Sequence, residues 1–115
     1  MAIPDYQTVM LPLLRAIADE KEHSLGEVVE SVSDAFGLSP EERQQLLPSG
    51  QSTVIRNRAG WARTYLKKAG LIESTRRGFF RISERGRAVL ASNPSRVDVR
   101  FLEQFPEFIV LGVLF

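Results

Sequence analysis

Between Val54 and Ala69 the chain spaces long cations and small polar residues so that they share one side of a helix. At ~100° per residue, Arg56, Gly60, Arg63 and Lys67 fall on one arc, flanked by Asn57, Ala59 and Thr64. Guanidinium and ammonium groups around small residues suit a polyanion: the cations reach phosphates, and the small residues let the backbone approach base edges in a major groove. Further along, Arg76 and Arg77 stand together in a polar, Gly-containing turn, where they would add two more phosphate contacts. The same pattern is also that of an amphipathic helix with a solvated charged face. The repetition of the chemistry in the turn favours binding.

Residues suited to catalysis are sparse. Carboxylates pair at Asp19/Glu20 and Glu41/Glu42, both in helix-end or capping contexts, and there is no glycine-rich phosphate loop. Glu73 and Glu84 are the only acids expected near the basic face, too scattered to hold a metal beside a phosphate. With no cysteine and a single histidine, His23, thiolate and zinc sites are excluded. No catalytic, cofactor or metal residue is therefore assigned, and His23 is expected in a polar, solvated turn.

The elements that must carry these residues follow from caps and periodicity. Pro4 and Asp5 open a first helix with apolar residues from Val9 to Ile17; Pro12 inside it predicts a kink or a late start near Val9. Ser24 and Glu27 have capping-box spacing ahead of Leu25, Val28, Val29, Val32 and Phe36. Ser39, Pro40 and Glu42 start a short helix running through Leu46 and Leu47 to Pro48. The helix from about Thr53 to Ala69 comes next. Its apolar arc holds Val54, Ile55, Arg58, Ala62, Tyr65, Leu66 and Ala69. Trp61 lies on the edge of that arc and is expected to pack against the first helix. Arg58 should reach out to an acid such as Glu27 or Glu30.

After Gly70 the period changes to that of strands: Leu71–Glu73, a turn over Ser74–Gly78, and a return through Phe79–Ile82. Phe80 and Ile82 should face the core, with Phe79 and Arg81 opposite. Ser83 caps another helix through Ala91, and a last helical piece is expected from Asp98 to Gln104. The fold class is mainly α with a small two-stranded β-hairpin (α+β), in the order of a winged helix-turn-helix.

Charge is segregated along the chain. Residues 1–50 hold three bases against nine acids, and residues 51–100 hold twelve against three, although the net charge is only +1. This suits a soluble protein with one basic face. The longest apolar run, Phe108 to Phe115, is far short of the ~20 residues that span a bilayer, so a cytoplasmic protein is expected, with no membrane partner. Residues 1–108 are read as one DNA-binding domain and 109–115 as an apolar tail that packs on the domain or across a homodimer.

Residues 4–108 resemble the N-terminal domain of the Mrr family of restriction endonucleases. The resemblance lies in Pro4-Asp5-Tyr6-Gln7, Leu47-Pro48-Ser49-Gly50, Asn57-Arg58 with Gly60-Trp61-Ala62-Arg63, and Phe101-Leu102 with Phe105-Pro106-Glu107-Phe108. It implies a module that targets double-stranded, methylated DNA, whose nuclease domain is separate and lies beyond this chain. A stand-alone winged-helix regulator and a protein-interaction winged helix are the other readings.

Overall fold

The computed structural model describes residues 3–108, and the tail at 109–115 lies outside the described residues. The order is α1 (Tyr6–Ala16), β1 (His23–Ser24), α2 (Leu25–Ala35), α3 (Pro40–Gln44), α4 (Val54–Lys68), β2 (Ile72–Arg76), β3 (Phe79–Ile82), α5 (Glu84–Ala91) and α6 (Val99–Leu102). It is an α+β fold whose antiparallel sheet has three strands, ordered β1-β3-β2. No helix among the described residues is long and apolar enough to cross a membrane.

The third strand corrects the two-stranded expectation. His23 pairs with Phe80 and Ser24 with Phe79, but two residues are too few to show an alternating pattern. Ser24 also caps α2: its hydroxyl accepts from Glu27 N at 3.3 Å while Glu27 Oε1 accepts from Ser24 N at 3.3 Å. One short segment thus ties the start of α2 to the edge of the hairpin. His23 is accordingly not solvated. Its side chain keeps 16% exposure and lies between Asp19, 2.8 Å from Nε2, and Glu27, 3.4 Å from Nδ1.

Asp5 fixes the start of α1 by accepting from Thr8 N at 2.8 Å. The helix begins at Tyr6 and continues through Pro12, so the late start is not found. The short helix is also shorter than expected. It ends at Gln44; Leu46, 56% exposed, instead bridges to Thr53, and Val54 N donates to Gln45 O at 2.8 Å. These backbone bonds make residues 45–53 a closed loop that delivers the chain into α4.

Helix α4 is central, packing on α1, α2, α3 and β2. Thr53 caps it, accepting from Arg56 N at 3.2 Å, and Gly70, at φ +81°, turns the chain out of it. Strand β2 extends to Arg76 instead of ending at Glu73. A bulge between Ser74 and Arg76 brings Arg76 opposite Phe79, leaving only Arg77 and Gly78 in the turn. Gly78 has φ +81°, the left-handed geometry that glycine adopts without strain. Phe80 and Ile82 are buried, as expected. Ser83 caps α5, accepting from Gly86 N at 3.1 Å. The helical piece expected from Asp98 to Gln104 is limited to Val99–Leu102, docked on α1 through Val99 N, which donates to Gln7 Oε1 at 2.9 Å.

Two helix caps make the fold sensitive to acid. The Thr8 amide donated to Asp5, and the Phe101 amide together with Arg96 at Asp98, hold these carboxyls below the usual aspartate value of 3.8. A carboxyl depressed in the folded state stabilises it above the unfolded pKa, and that contribution is lost as pH falls through the folded value. The thermal midpoint should therefore drop below about pH 4. Asp5→Asn, which keeps a capping acceptor, should flatten that drop; an unaltered acid profile in this variant would exclude Asp5 as a contributor.

Candidate nucleic-acid interface

The side of α4 that faces the core is turned from the one expected. Ile55, Ala59, Ala62, Leu66 and Ala69 are its most deeply buried residues, which centres the buried arc about 40° further round, towards Ala59. This rotation accounts for three corrections together. Ala59, expected beside the cations, is fully buried. Trp61, expected to be packed, is 48% exposed and touches Tyr65 only edge-on, with ring centroids 6.4 Å apart. Arg58 meets neither Glu27 nor Glu30; its guanidinium donates to the Pro4 carbonyl at 3.3 Å, tying α4 to the start of the chain.

The polar side of α4 lines two depressions that share Arg63 and Thr64. In one, of about 260 Å³, Arg56, Asn57, Gly60 and Trp61 face Leu25 and Ser52. In the other, of about 500 Å³, Lys67 and Lys68 face Ser74, Gly78, Phe79 and Phe80 of the hairpin. The helix supplies Arg56, Asn57, Gly60, Arg63, Thr64 and Lys67 to one continuous surface. Lys68 joins the expected set, and its place one residue after Lys67 in the last turn of the helix is the sequence signal for it.

Cations on this surface differ from others in the chain in what they meet. Among the described residues, no acid is ion-paired with Arg56, Arg63, Lys67 or Arg77, whereas Arg81, Arg85, Arg87 and Arg96 each pair with one and Arg43 with two. Arg63 lies over the Phe80 ring, 5.9 Å from its centroid, leaving its guanidinium between the two depressions. Arg77 is exposed at the hairpin tip. Arg76 is occupied: it pairs with Glu22 at 3.2 Å and stacks 3.8 Å over Phe79. Its pair is exposed on both sides and therefore weak in water, so a phosphate can displace Glu22.

Glycine at position 60 is not demanded by packing. A Cβ there would meet only Leu25 Cδ2, at 3.8 Å, an ordinary contact. In a helix interior glycine costs about 1 kcal/mol relative to alanine.

No group of three metal-ligating side chains occurs among the described residues. Glu73 is paired with Arg81 at 3.2 Å. The family described as the Mrr N-terminal domain matches residues 6–92. The chain belongs to that family. A relative, the type IV methyl-directed restriction enzyme EcoKMrr of Escherichia coli K12, is 39% identical over 95 residues, covering 82% of this chain and 31% of the enzyme. The chain thus spans about a third of the length of the curated relative it matches. No solved structure matches it. Within the family match lie all of α4 and the hairpin, and with them every candidate contact residue from Arg56 to Arg77.

Proposed function

We propose that residues 3–108 form a winged-helix domain that targets duplex DNA for a methyl-directed restriction system, and that its role is recognition, not cleavage. Helix α4 enters the major groove with Asn57, Gly60 and Thr64 towards the bases. Arg56, Arg63 and Lys67 grip the flanking phosphates, and the β2–β3 hairpin, as the wing, sets Arg76 and Arg77 on the backbone. The observation that carries this reading is that Arg56, Arg63 and Lys67, along one side of α4, meet no acid among the described residues, in a chain whose other arginines are largely committed to ion pairs. Membership of the Mrr N-terminal domain family and the methyl-directed relative support it.

Salt dependence tests it. Four contacts, from Arg56, Arg63, Lys67 and Arg77, predict a log-log slope of affinity against salt near ~−3.6, steepening to ~−4.5 where Arg76 exchanges Glu22 for a phosphate. A flat response would assign the surface to a protein partner. Methylated DNA should be favoured only mildly. One buried methyl is worth ~0.8 kcal/mol, roughly fourfold, so one or two such contacts give a preference of about two- to tenfold.

A further inference from the structure

We propose that the depression over Gly60, walled by Leu25 and Trp61, receives a methyl group on the major-groove edge of a base, and is where this domain tells methylated from unmethylated DNA. The inference rests on the DNA-binding reading above and goes on to assign the reader. Three observations converge on it. A glycine stands at position 60 although the packing there admits a Cβ, 3.8 Å from Leu25 Cδ2, and although alanine is the better helix former. Its missing methyl leaves the floor of the depression open. Trp61, 48% exposed, lines the depression beside that floor and presents apolar surface to it. Arg56 and Arg63 line the same depression, so phosphates held by them would bring a base edge over Gly60.

The larger cleft between α4 and the hairpin is less suited to a methyl. Phe80 is buried in the core, and Phe79 already carries the Arg76 guanidinium 3.8 Å over its ring. Methyl groups that project into the major groove are the C5 methyl of thymine or 5-methylcytosine and the methyl of N6-methyladenine. Apolar contact with Trp61 and Leu25 suits any of them.

The test uses duplexes copied from one template with unmodified bases, with 5-methylcytosine, with N6-methyladenine, or with uracil replacing thymine. For the unaltered chain, one methylated duplex should bind about two- to tenfold more tightly than its demethylated counterpart, and which duplex does so identifies the source of the methyl. Gly60→Ala should melt higher, by ~4 °C, yet bring that ratio to near one. Trp61→Ala should also bring it to near one. Lys67→Ala should weaken binding to all duplexes alike and preserve the ratio. A ratio retained in both Gly60→Ala and Trp61→Ala overturns the assignment, as does a Gly60→Ala protein that melts lower, because the glycine is then a packing requirement. Salt-sensitive binding with no methyl preference overturns this inference and leaves the DNA-binding reading standing; no binding to any duplex overturns both.

Discussion

Reversing the charge of Arg63 and Lys67 together, as Arg63→Glu/Lys67→Glu, should lower duplex affinity by ~10³-fold at 0.1 M salt while leaving the domain folded. The magnitude follows from counterion release. Each phosphate contact contributes ~0.9 decades at that salt, and exchanging two cations for two anions changes the interface by four charges. The fold should tolerate the change because Lys67 is exposed and Arg63 only part-buried, neither in an ion pair among the described residues. What is lost is the stacking of Arg63 on Phe80 at 5.9 Å, worth about 0.5–1 kcal/mol. Circular dichroism and a melting curve establish the fold, and a fluorescence titration the affinity. A folded double variant that binds duplex as tightly as the unaltered chain would remove α4 from the interface. The paired cations supply the contrast: Arg87→Glu, at a site where Glu20 lies 3.6 Å from the guanidinium, should cost far less DNA affinity.

Local signals were the legible part of this sequence. Ser24/Glu27 and Ser39/Glu42 form their capping boxes where the spacing places them, because each needs only four consecutive residues to agree. The extent of α4 was equally readable from Thr53 and from the Ala69-Gly70 stop. What escaped depends on long-range packing. Strand β1 is two residues long and exists because β3 lies beside it. The bulge that lengthens β2 to Arg76 likewise belongs to the pairing with β3, since Thr75 carries no mark of it in the sequence.

The candidate surface was readable as a set of residues and less so in its orientation. Tyr65 and Arg58 drew the expected apolar arc towards themselves, but Tyr65 packs partly against Tyr6, with centroids 5.1 Å apart, and Arg58 ends on the Pro4 carbonyl. Small alanines carry the true core face, and their low hydrophobicity hides how closely α1 and α2 approach them. Trp61 was thereby exposed instead of buried. Its exposure, not its aromatic character, makes it a candidate reader. Arg76 shows the opposite limit: its type and place in the hairpin were clear, while its partners Glu22 and Phe79 come from a distant turn and the facing strand.

Gly86→Ala should be the most damaging single methyl addition in the described chain, for a reason opposite to the one at Gly60. A Cβ at Gly86 would stand 2.2 Å from the Leu71 carbonyl oxygen and 2.7 Å from Ile82 Cγ1. Neither neighbour can retreat easily. The Leu71 carbonyl accepts from Ser83 N at 3.0 Å, Ser83 Oγ donates to the Gly70 carbonyl at 2.6 Å, and the Leu71 and Ile82 side chains are buried. Relief requires α5 to lift from the end of α4 and the base of β2. That motion breaks the Ser83 bonds and opens the core around Val89 and Ile82. Overpacking against a backbone atom belongs at or above the upper end of the usual 1–3 kcal/mol, and the helix-propensity gain of about 1 kcal/mol offsets only part of it. A net loss of at least about 2 kcal/mol corresponds to a melting midpoint lowered by roughly 8–12 °C or more for a domain of this size. The displacement also carries the hairpin with it, because β2 and β3 are anchored at Leu71 and Ile82. DNA affinity measured well below the lowered midpoint should therefore fall as well, with the salt slope reduced by about one as Arg77 loses its phosphate. An unchanged midpoint would show that α5 does not seat on Leu71 at the spacing described, and a lowered midpoint with an unchanged salt slope would show that the hairpin holds its place independently of α5.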